Sequence, residues 1–96
     1  MRTLRRTSQF KKDYKRGKRA GKPIAELTEV LSQLVADEPL ATKRRDHALI
    51  GKFAQTRECH LAPDWLLIYQ LDDEQLILIR LGSHAELFGR SREGQV

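Results

Sequence analysis

The 96-residue sequence predicts an α+β fold in which two N-terminal helices pack on a small, mainly antiparallel sheet, in the order β-α-α-β-β-β. Two observations carry this prediction. Apolar residues recur at helical spacing over residues 24–35, whereas residues 65–71 and 75–81 are nearly continuous apolar runs. Two helices on one face of a small sheet also form the layers that bury a single core. The length predicts one domain over residues 1–89 and a flexible tail over residues 90–96.

The first two elements are a short strand and a helix. Arg2–Thr7 predicts the strand, and Thr7 or Ser8 can cap the helix that follows. Phe10 and Tyr14, four residues apart, indicate the buried face of this helix. The same two rings could instead stack on nucleic-acid bases.

The second helix has the clearest pattern in the chain. Gly21-Lys22-Pro23 ends the first helix, and Pro23 suits the first turn of the second. Its apolar positions follow at i, i+3, i+6, i+7, i+10 and i+11, and they are Ile24, Leu27, Val30, Leu31, Leu34 and Val35. Asp37-Glu38-Pro39 ends this helix, and the polar residues 40–52 predict a long loop.

Three strands complete the predicted sheet. Phe53–Leu61 has poor alternation, whereas Trp65–Leu71 and Gln75–Leu81 are strongly apolar and flank the turn Asp72-Asp73-Glu74. These two strands predict an antiparallel hairpin. Because neither alternates cleanly, we expect at least one to be covered on both faces. Ser83–Phe88 predicts a turn or a helical turn.

Charge is distributed unevenly along the chain, which has a net charge of +5. Residues 1–22 hold ten basic residues and one acid, Asp13, for a charge of +9, so residues 23–96 carry −4. Clustered positive charge favours a polyanionic partner, although a solvated helix face is the alternative. No apolar run is long enough for a membrane span or a signal peptide, so we expect a cytoplasmic protein. The single cysteine, Cys59, excludes a disulfide framework and predicts a small buried residue.

The three histidines lie at the edges of predicted elements. His47 follows Asp46 in the polar loop, His60 ends a strand four residues before Asp64, and His84 follows the last strand. If the three strands are antiparallel neighbours, His60, Asp64 and His84 meet at one edge of the sheet.

Three interpretations of this cluster stay open. The first is acid–base cleavage of RNA, which needs a base for the 2′-hydroxyl, an acid for the 5′-oxygen and a cation for the phosphorane. Histidine suits the proton transfers, and Arg57, Arg80 or the cluster Lys43–Arg45 could supply the cation. The second is a metal site without standard zinc spacing, with the candidate ligands His47, Cys59, His60, Asp64 and His84. The third is a set of ordinary surface or capping histidines.

The aromatic residues near this cluster also have two interpretations. Trp65 is expected in the core, although it could shape a base pocket. Phe88 could pack back on the core as a clasp or could stack on a base.

The residues of the second half of the chain also form an ordered pattern. It reads Asp46-His47-x-Leu49-x-Gly51, then Arg57-x-x-His60-x-x-Pro63-Asp64-Trp65-x-Leu67-Ile68-Tyr69, then Gly82-Ser83-His84-Ala85-x-Leu87-Phe88-Gly89. This pattern resembles the YafQ-like branch of the RelE/ParE toxin superfamily. The resemblance implies a RelE-like microbial RNase fold and the toxin of a bacterial type II toxin–antitoxin pair. Such toxins cut translated mRNA in the ribosomal A site, need no metal or other cofactor, and leave a 2′,3′-cyclic phosphate.

The resemblance also implies site residues and partners. The implied catalytic positions are His47, His60, Asp64, His84 and Phe88. Among them, His84 would be the general acid, Asp64 or His60 the base, His47 the group that positions the phosphate, and Phe88 the contact to the mRNA base. RNA contacts are expected from Lys11, Lys12, Lys15, Arg16, Lys18, Arg19, Lys43, Arg44, Arg45 and Arg57. The implied partners are mRNA, the 70S ribosome and a cognate antitoxin, a small DNA-binding dimer with a flexible C-terminal segment.

Two alternatives from other classes remain. One is a non-catalytic toxin of the same fold that inhibits a protein target such as DNA gyrase. The other is a binding module for RNA or protein without toxicity. Neither would need the set of three histidines and an aspartate.

Overall fold

The computed structural model describes residues 2–89, so the predicted tail over residues 90–96 lies outside the described part. Its helices and strands are β1 (Thr3–Arg6), α1 (Ser8–Arg19), α2 (Ile24–Val35), β2 (His47–Ala48), β3 (Arg57–Ala62), β4 (Trp65–Leu71), β5 (Gln75–Gly82) and α3 (His84–Phe88). The five strands form one sheet in the order β1-β5-β4-β3-β2. The pair β1–β5 is parallel and the other three pairs are antiparallel. The predicted α+β fold is confirmed.

The structure differs from the prediction in the middle of the chain. Residues 40–52 are not one loop, because they contain β2 and a 3₁₀ turn at Thr42–Arg44. The strand expected at Phe53–Leu61 begins only at Arg57, and Phe53 ends a second 3₁₀ turn instead. A strand of two residues is too short to leave a periodic signal in the sequence, which is why β2 escaped prediction.

Helix α1 is positioned by its cap and by one close approach to the sheet. The Thr7 side chain accepts a hydrogen bond from the Phe10 backbone N at 3.0 Å. A Cβ atom at Gly17 would lie 3.2 Å from the Trp65 ring, so glycine permits the helix to approach the sheet this closely. Phe10 is 2% exposed and Tyr14 packs at the edge of the same cluster, as the helical spacing predicts.

The core lies on both faces of β4. Trp65, Leu67 and Tyr69 pack in the cluster under α1 and α2, and Leu66 and Ile68 pack on the opposite face. All five side chains are at most 2% exposed. Burial on both faces explains the lack of alternation in this strand, and each such side chain contributes about 1.5–3 kcal/mol relative to exposure.

A buried carboxylate joins α1 to β5. Asp13 accepts hydrogen bonds from Arg80 Nε at 2.8 Å and from the Leu81 backbone N at 3.0 Å. Gln9 and Arg16 donate to its other oxygen at 3.0 and 3.1 Å. Burial works to raise the pKa of Asp13, but the hydrogen bonds from Arg80, Leu81 and Gln9 outweigh it and hold the pKa below its usual value. The only acid of the basic segment is therefore a structural anchor.

None of the helices in the described part of the chain has the length and apolarity needed to cross a bilayer.

Candidate active site

The register of the sheet brings three separate segments to one edge. Leu66 pairs with His60 on β3 and with Gly82 on β5. His84 begins α3 two residues after Gly82, and Asp64 lies in the turn that joins β3 to β4. The structure therefore brings together the three side chains that the sequence placed at one edge.

Asp64 holds His84 through two hydrogen bonds. Its Oδ1 lies 2.8 Å from His84 Nδ1 and accepts from the His84 backbone N at 3.0 Å. These bonds, the backbone one foremost, lower the pKa of Asp64. An ionised carboxylate can only accept, so Nδ1 of His84 carries the proton of this bond. Proton exchange with a ligand then falls to Nε2 of His84.

His60 and His47 complete the histidine cluster. The ring centroids of His60 and His84 are 5.9 Å apart. Burial, followed by the charges of His84, Arg45 and His47, lowers the pKa of His60, so His60 is neutral and able to accept a proton near pH 7. His47 Nδ1 lies 2.7 Å from the carbonyl oxygen of Arg45, which can only accept, so Nδ1 donates and Nε2 points to the cluster.

Glu58 is the residue of this site that the sequence analysis missed. Its side chain is 5% exposed, and Oε1 lies 3.4 Å from His47 Nε2 and 3.7 Å from His60 Nε2. Burial raises the pKa of Glu58, an effect that the charges of His47 and His84 partly offset. A usable signal was present in the sequence. Residues two apart in a strand share a face, so Glu58 had to lie beside His60.

The arrangement could also hold a metal ion, but not through the predicted set. One ligand atom from each of Glu58, His60 and His84 lies within 4.8 Å of the other two. Cys59 points to the opposite face of β3, where it is fully buried, and burial raises its pKa to about 12. Its expected place in the core is therefore correct, and its place in the metal set is wrong.

Phe88 packs as a clasp between the core and the histidines. Its side chain is 9% exposed, and its ring meets Phe53 edge-on at 5.6 Å between centroids. The His84 ring lies 6.4 Å from it on another side. Phe88 also lines a cavity of about 220 Å³ with His47, Glu58, His60 and His84. Phe88 is therefore a largely buried ring that lines the site, as the clasp interpretation expects.

Comparison with known proteins identifies this architecture. The family model described as "Bacterial toxin of type II toxin-antitoxin system, YafQ" matches residues 2–89. The chain belongs to the YafQ toxin family. The mRNA interferase toxin YafQ of Escherichia coli K12 is 36% identical over 89 residues, covering 92% of this chain and 97% of that protein.

Solved structures agree with this membership. The crystal structure of the E. coli DinJ-YafQ toxin-antitoxin complex matches with a TM-score of 0.85 and 36% identity, covering 92% of this chain and 98% of that one. A metal-bound toxin from Helicobacter pylori matches with a TM-score of 0.85 and 43% identity, covering 92% and 100%. The chain therefore has the YafQ fold over almost its whole length.

The basic residues of this YafQ family member divide into paired and unpaired ones. Arg44 is 3% exposed, donates to Glu26 Oε1 at 2.9 Å and to the Leu61 carbonyl at 3.3 Å. It is thus a structural cation, contrary to its expected role as an RNA contact. Arg57 donates to Asp46 at 3.1 Å, and the Tyr69 hydroxyl donates to the same carboxylate oxygen at 2.6 Å.

The other basic residues that were expected to contact RNA lie at the surface. Arg16 is half exposed and pairs with Asp13 at 3.1 Å and with Glu86 at 3.3 Å. Lys43 and Arg45 are exposed and make no ion pair with any side chain that the structure describes. The exposed basic residues of α1 are Lys11, Lys12, Lys15, Lys18 and Arg19. Free positive charge therefore lies on α1 and beside the histidine cluster.

Proposed function

We propose that this chain is the toxin of a type II toxin–antitoxin pair and a ribosome-dependent endoribonuclease that cuts translated mRNA in the A site. The observation that carries the proposal is the convergence of His47, His60 and the Asp64–His84 pair at one open edge of the sheet. The E. coli relatives named mRNA interferase toxins support the same activity.

The proposed reaction is attack of a ribose 2′-oxygen on the adjacent phosphorus. The new bond closes a 2′,3′-cyclic phosphate, the bond from phosphorus to the 5′-oxygen breaks, and that oxygen leaves as a hydroxyl. His84 donates the proton to the leaving oxygen from Nε2, while Asp64 orients the ring and stabilises its charged form.

His60 takes the proton of the 2′-hydroxyl. Support for His60 over Asp64 comes from hydrogen bonding, because Asp64 is committed to His84 at 2.8 and 3.0 Å. Glu58, 3.7 Å from His60, stabilises the imidazolium that results. His47 positions the phosphate, and Phe88 closes the side of the site that receives the mRNA base.

The proposed partners follow from the charge distribution. The exposed lysines and arginines of α1 suit ribosomal RNA, whose phosphates they would neutralise. They also suit a cognate antitoxin with an acidic flexible segment, since one structural relative is a toxin–antitoxin complex. The action on translating ribosomes places the protein in the bacterial cytoplasm, and its domain would span residues 1–89.

The acid–base route needs no metal ion, although a Helicobacter pylori relative of known structure is metal-bound. Glu58, His60 and His84 are the residues that would hold such an ion here. Two of them are assigned to proton transfer, so an ion bound there would compete with the proposed chemistry. Cleavage should therefore persist, or rise, when transition metals are removed.

The test is primer extension on an mRNA in a translating bacterial extract, with and without a transition-metal chelator that spares Mg²⁺. The intact protein should give codon-phased cuts that require ribosomes, and His84→Ala and His84→Gln should abolish them. Asp73→Asn, in the exposed β4–β5 turn, serves as the control that keeps full activity. Intact mRNA with continued translation would refute the proposal, and loss of DNA supercoiling instead would favour a gyrase inhibitor.

A further inference from the structure

Two cavities open on either side of the histidine cluster. The larger has a volume of about 580 Å³ and lies between α2, the 3₁₀ turn at Thr42–Arg44 and the β3–β4 turn. The smaller, of about 220 Å³, is the one that Phe88 lines. Arg45, His60 and His84 line both. The side chains assigned to proton transfer therefore form a wall between two spaces.

The lining of the larger cavity suits a nucleotide. Its volume of about 580 Å³ is within the range of about 300–1,000 Å³ that is typical of small-ligand sites. Lys43 and Arg45 stand at its rim as exposed cations, and Ala62-Pro63 gives it an apolar surface. The buried Arg44 fixes the rim to α2 through its 2.9 Å bond to Glu26.

We propose that the larger cavity is the subsite for the nucleotide on the 3′ side of the cut, with Lys43 and Arg45 contacting the next phosphate along the mRNA. This inference rests on the proposed endoribonuclease function and adds the direction in which the RNA crosses the site.

The direction of the RNA follows from the side chains that line one cavity but not the other. Glu58 and His47 line the smaller cavity and not the larger, and both are near His60. Glu58, which stabilises the imidazolium formed at His60, is thus on the smaller side, and this assigns the nucleotide 5′ of the cut to that side. In-line displacement puts the attacking and leaving oxygens on opposite sides of the phosphorus. The 5′-oxygen and the nucleotide attached to it therefore lie on the larger side, where His84 can still reach the oxygen.

Arg45 is held in place for this contact. Its backbone is left-handed, with φ of 52°, and its carbonyl oxygen accepts from His47 Nδ1 at 2.7 Å. A left-handed conformation is rare for residues other than glycine and persists where the surroundings fix it. The hydrogen bond ties the rim of the larger cavity to the group that positions the scissile phosphate.

The experiment is a double-mutant cycle in which protein variants are combined with chemically modified mRNAs. Single-turnover cleavage of each mRNA is measured on purified, programmed ribosomes. One mRNA carries a neutral methylphosphonate at the first phosphate 3′ of the scissile one, and a second carries it at the first phosphate 5′ of it. The protein variant is Lys43→Gln with Arg45→Gln. Arg5→Gln with Arg6→Gln, on the exposed β1 edge, removes the same charge elsewhere.

For the wild-type protein, the 3′ methylphosphonate should raise the half-saturating toxin concentration roughly 10-fold, the effect of losing a charge-assisted contact. The variant Lys43→Gln/Arg45→Gln should show less than about a twofold effect from the same substitution, because the contact is already absent. The maximal rate should change little, since the contact is made equally in ground and transition states.

The other outcomes separate the two proposals. Coupling of Lys43→Gln/Arg45→Gln to the 5′ methylphosphonate would overturn the proposed direction of the RNA. Additive effects of this variant with both modified mRNAs would overturn the proposed 3′ subsite. The effects of the β1 variant and of each methylphosphonate should be additive. Coupling between the β1 variant and either modified mRNA would show that overall positive charge, not a local contact, accounts for the effect. If wild-type protein leaves the ordinary mRNA intact, the proposed endoribonuclease function itself fails.

Discussion

Replacing Asp13 with Asn should destabilise the fold more than any other single removal of charge. The Asp13 side chain is fully buried and receives donors from Arg80, Arg16, Gln9 and the Leu81 backbone. Asparagine keeps the volume but removes the charge. Its amide group also puts N–H donors where guanidinium donors already point.

The expected loss is about 3 kcal/mol in the free energy of unfolding. Removing one partner of a buried ion pair costs about 3–5 kcal/mol, because it leaves the other charge uncompensated. The side chains of Arg80 and Arg16 are 21% and 46% exposed, so water recovers part of this loss and the lower end applies. The total free energy of unfolding of a domain of this size is about 5–15 kcal/mol, so the variant should still fold. Its melting temperature should be at least about 12 °C lower than that of the wild-type protein.

The difference should depend on pH in a defined way. Because the pKa of Asp13 is lowered in the folded state, its contribution is complete above its unfolded pKa of about 3.9. It is lost as pH falls through the lower folded value. The gap between wild type and variant should therefore be constant from pH 5 to 7 and should close below about pH 4.

Urea denaturation followed by circular dichroism measures this gap. Asp73→Asn, in the exposed β4–β5 turn, is the matched control and should change the free energy of unfolding by less than about 0.5 kcal/mol. A loss below about 1 kcal/mol for Asp13→Asn, or a gap that widens in acid, would refute the reasoning.

Three further predictions concern the site and its surroundings. Glu58→Gln should raise the free energy of unfolding at pH 8, because a buried carboxylate with a raised pKa destabilises the fold when it is ionised and no longer does so in acid. The same substitution should slow mRNA cleavage at least about 10-fold. A parallel loss of stability in denaturation and of activity in cleavage assays would contradict this prediction. Arg44→Ala should lower the free energy of unfolding, measured in urea, by about 2–3 kcal/mol, because it removes a buried, paired cation. Lys43→Ala, at an exposed position, should change it by less than about 0.5 kcal/mol. Equal effects of the two substitutions would contradict the difference in burial. Cys59, whose pKa burial raises to about 12, should react with a thiol reagent at pH 8 only as fast as the protein opens. Rapid labelling of the native protein would contradict this prediction.

The fold was largely predictable because its signals are local. The hairpin of β4 and β5 and the apolar stripe of α2 depend on composition and spacing, and their bounds came within a residue of those observed. The parallel pairing of β1 with β5 depends on residues far apart in sequence, such as Thr3 and Gln75. No local pattern encodes that contact.

The site was partly predictable for a related reason. His60, Asp64 and His84 could be brought together from the strand order alone. The position of Glu58 beside His60 was also predictable, from strand alternation. The burial of Glu58 and Arg44 was not, because a charged residue in a strand or loop is ordinarily exposed and only its partners reveal that it is buried. Asp13 was hidden in the same way, as a single acid in a basic segment.

The pairing of β1 with β5 has a consequence for how the protein is made. During synthesis the N-terminal strand emerges early and finds no partner until β5 has followed, since Thr3 pairs with Gln75. His84 is later still, at the start of α3. The sheet and the histidine edge are thus assembled only when nearly all the described chain has left the ribosome. A copy translated only as far as the end of β5 lacks His84, the proposed general acid.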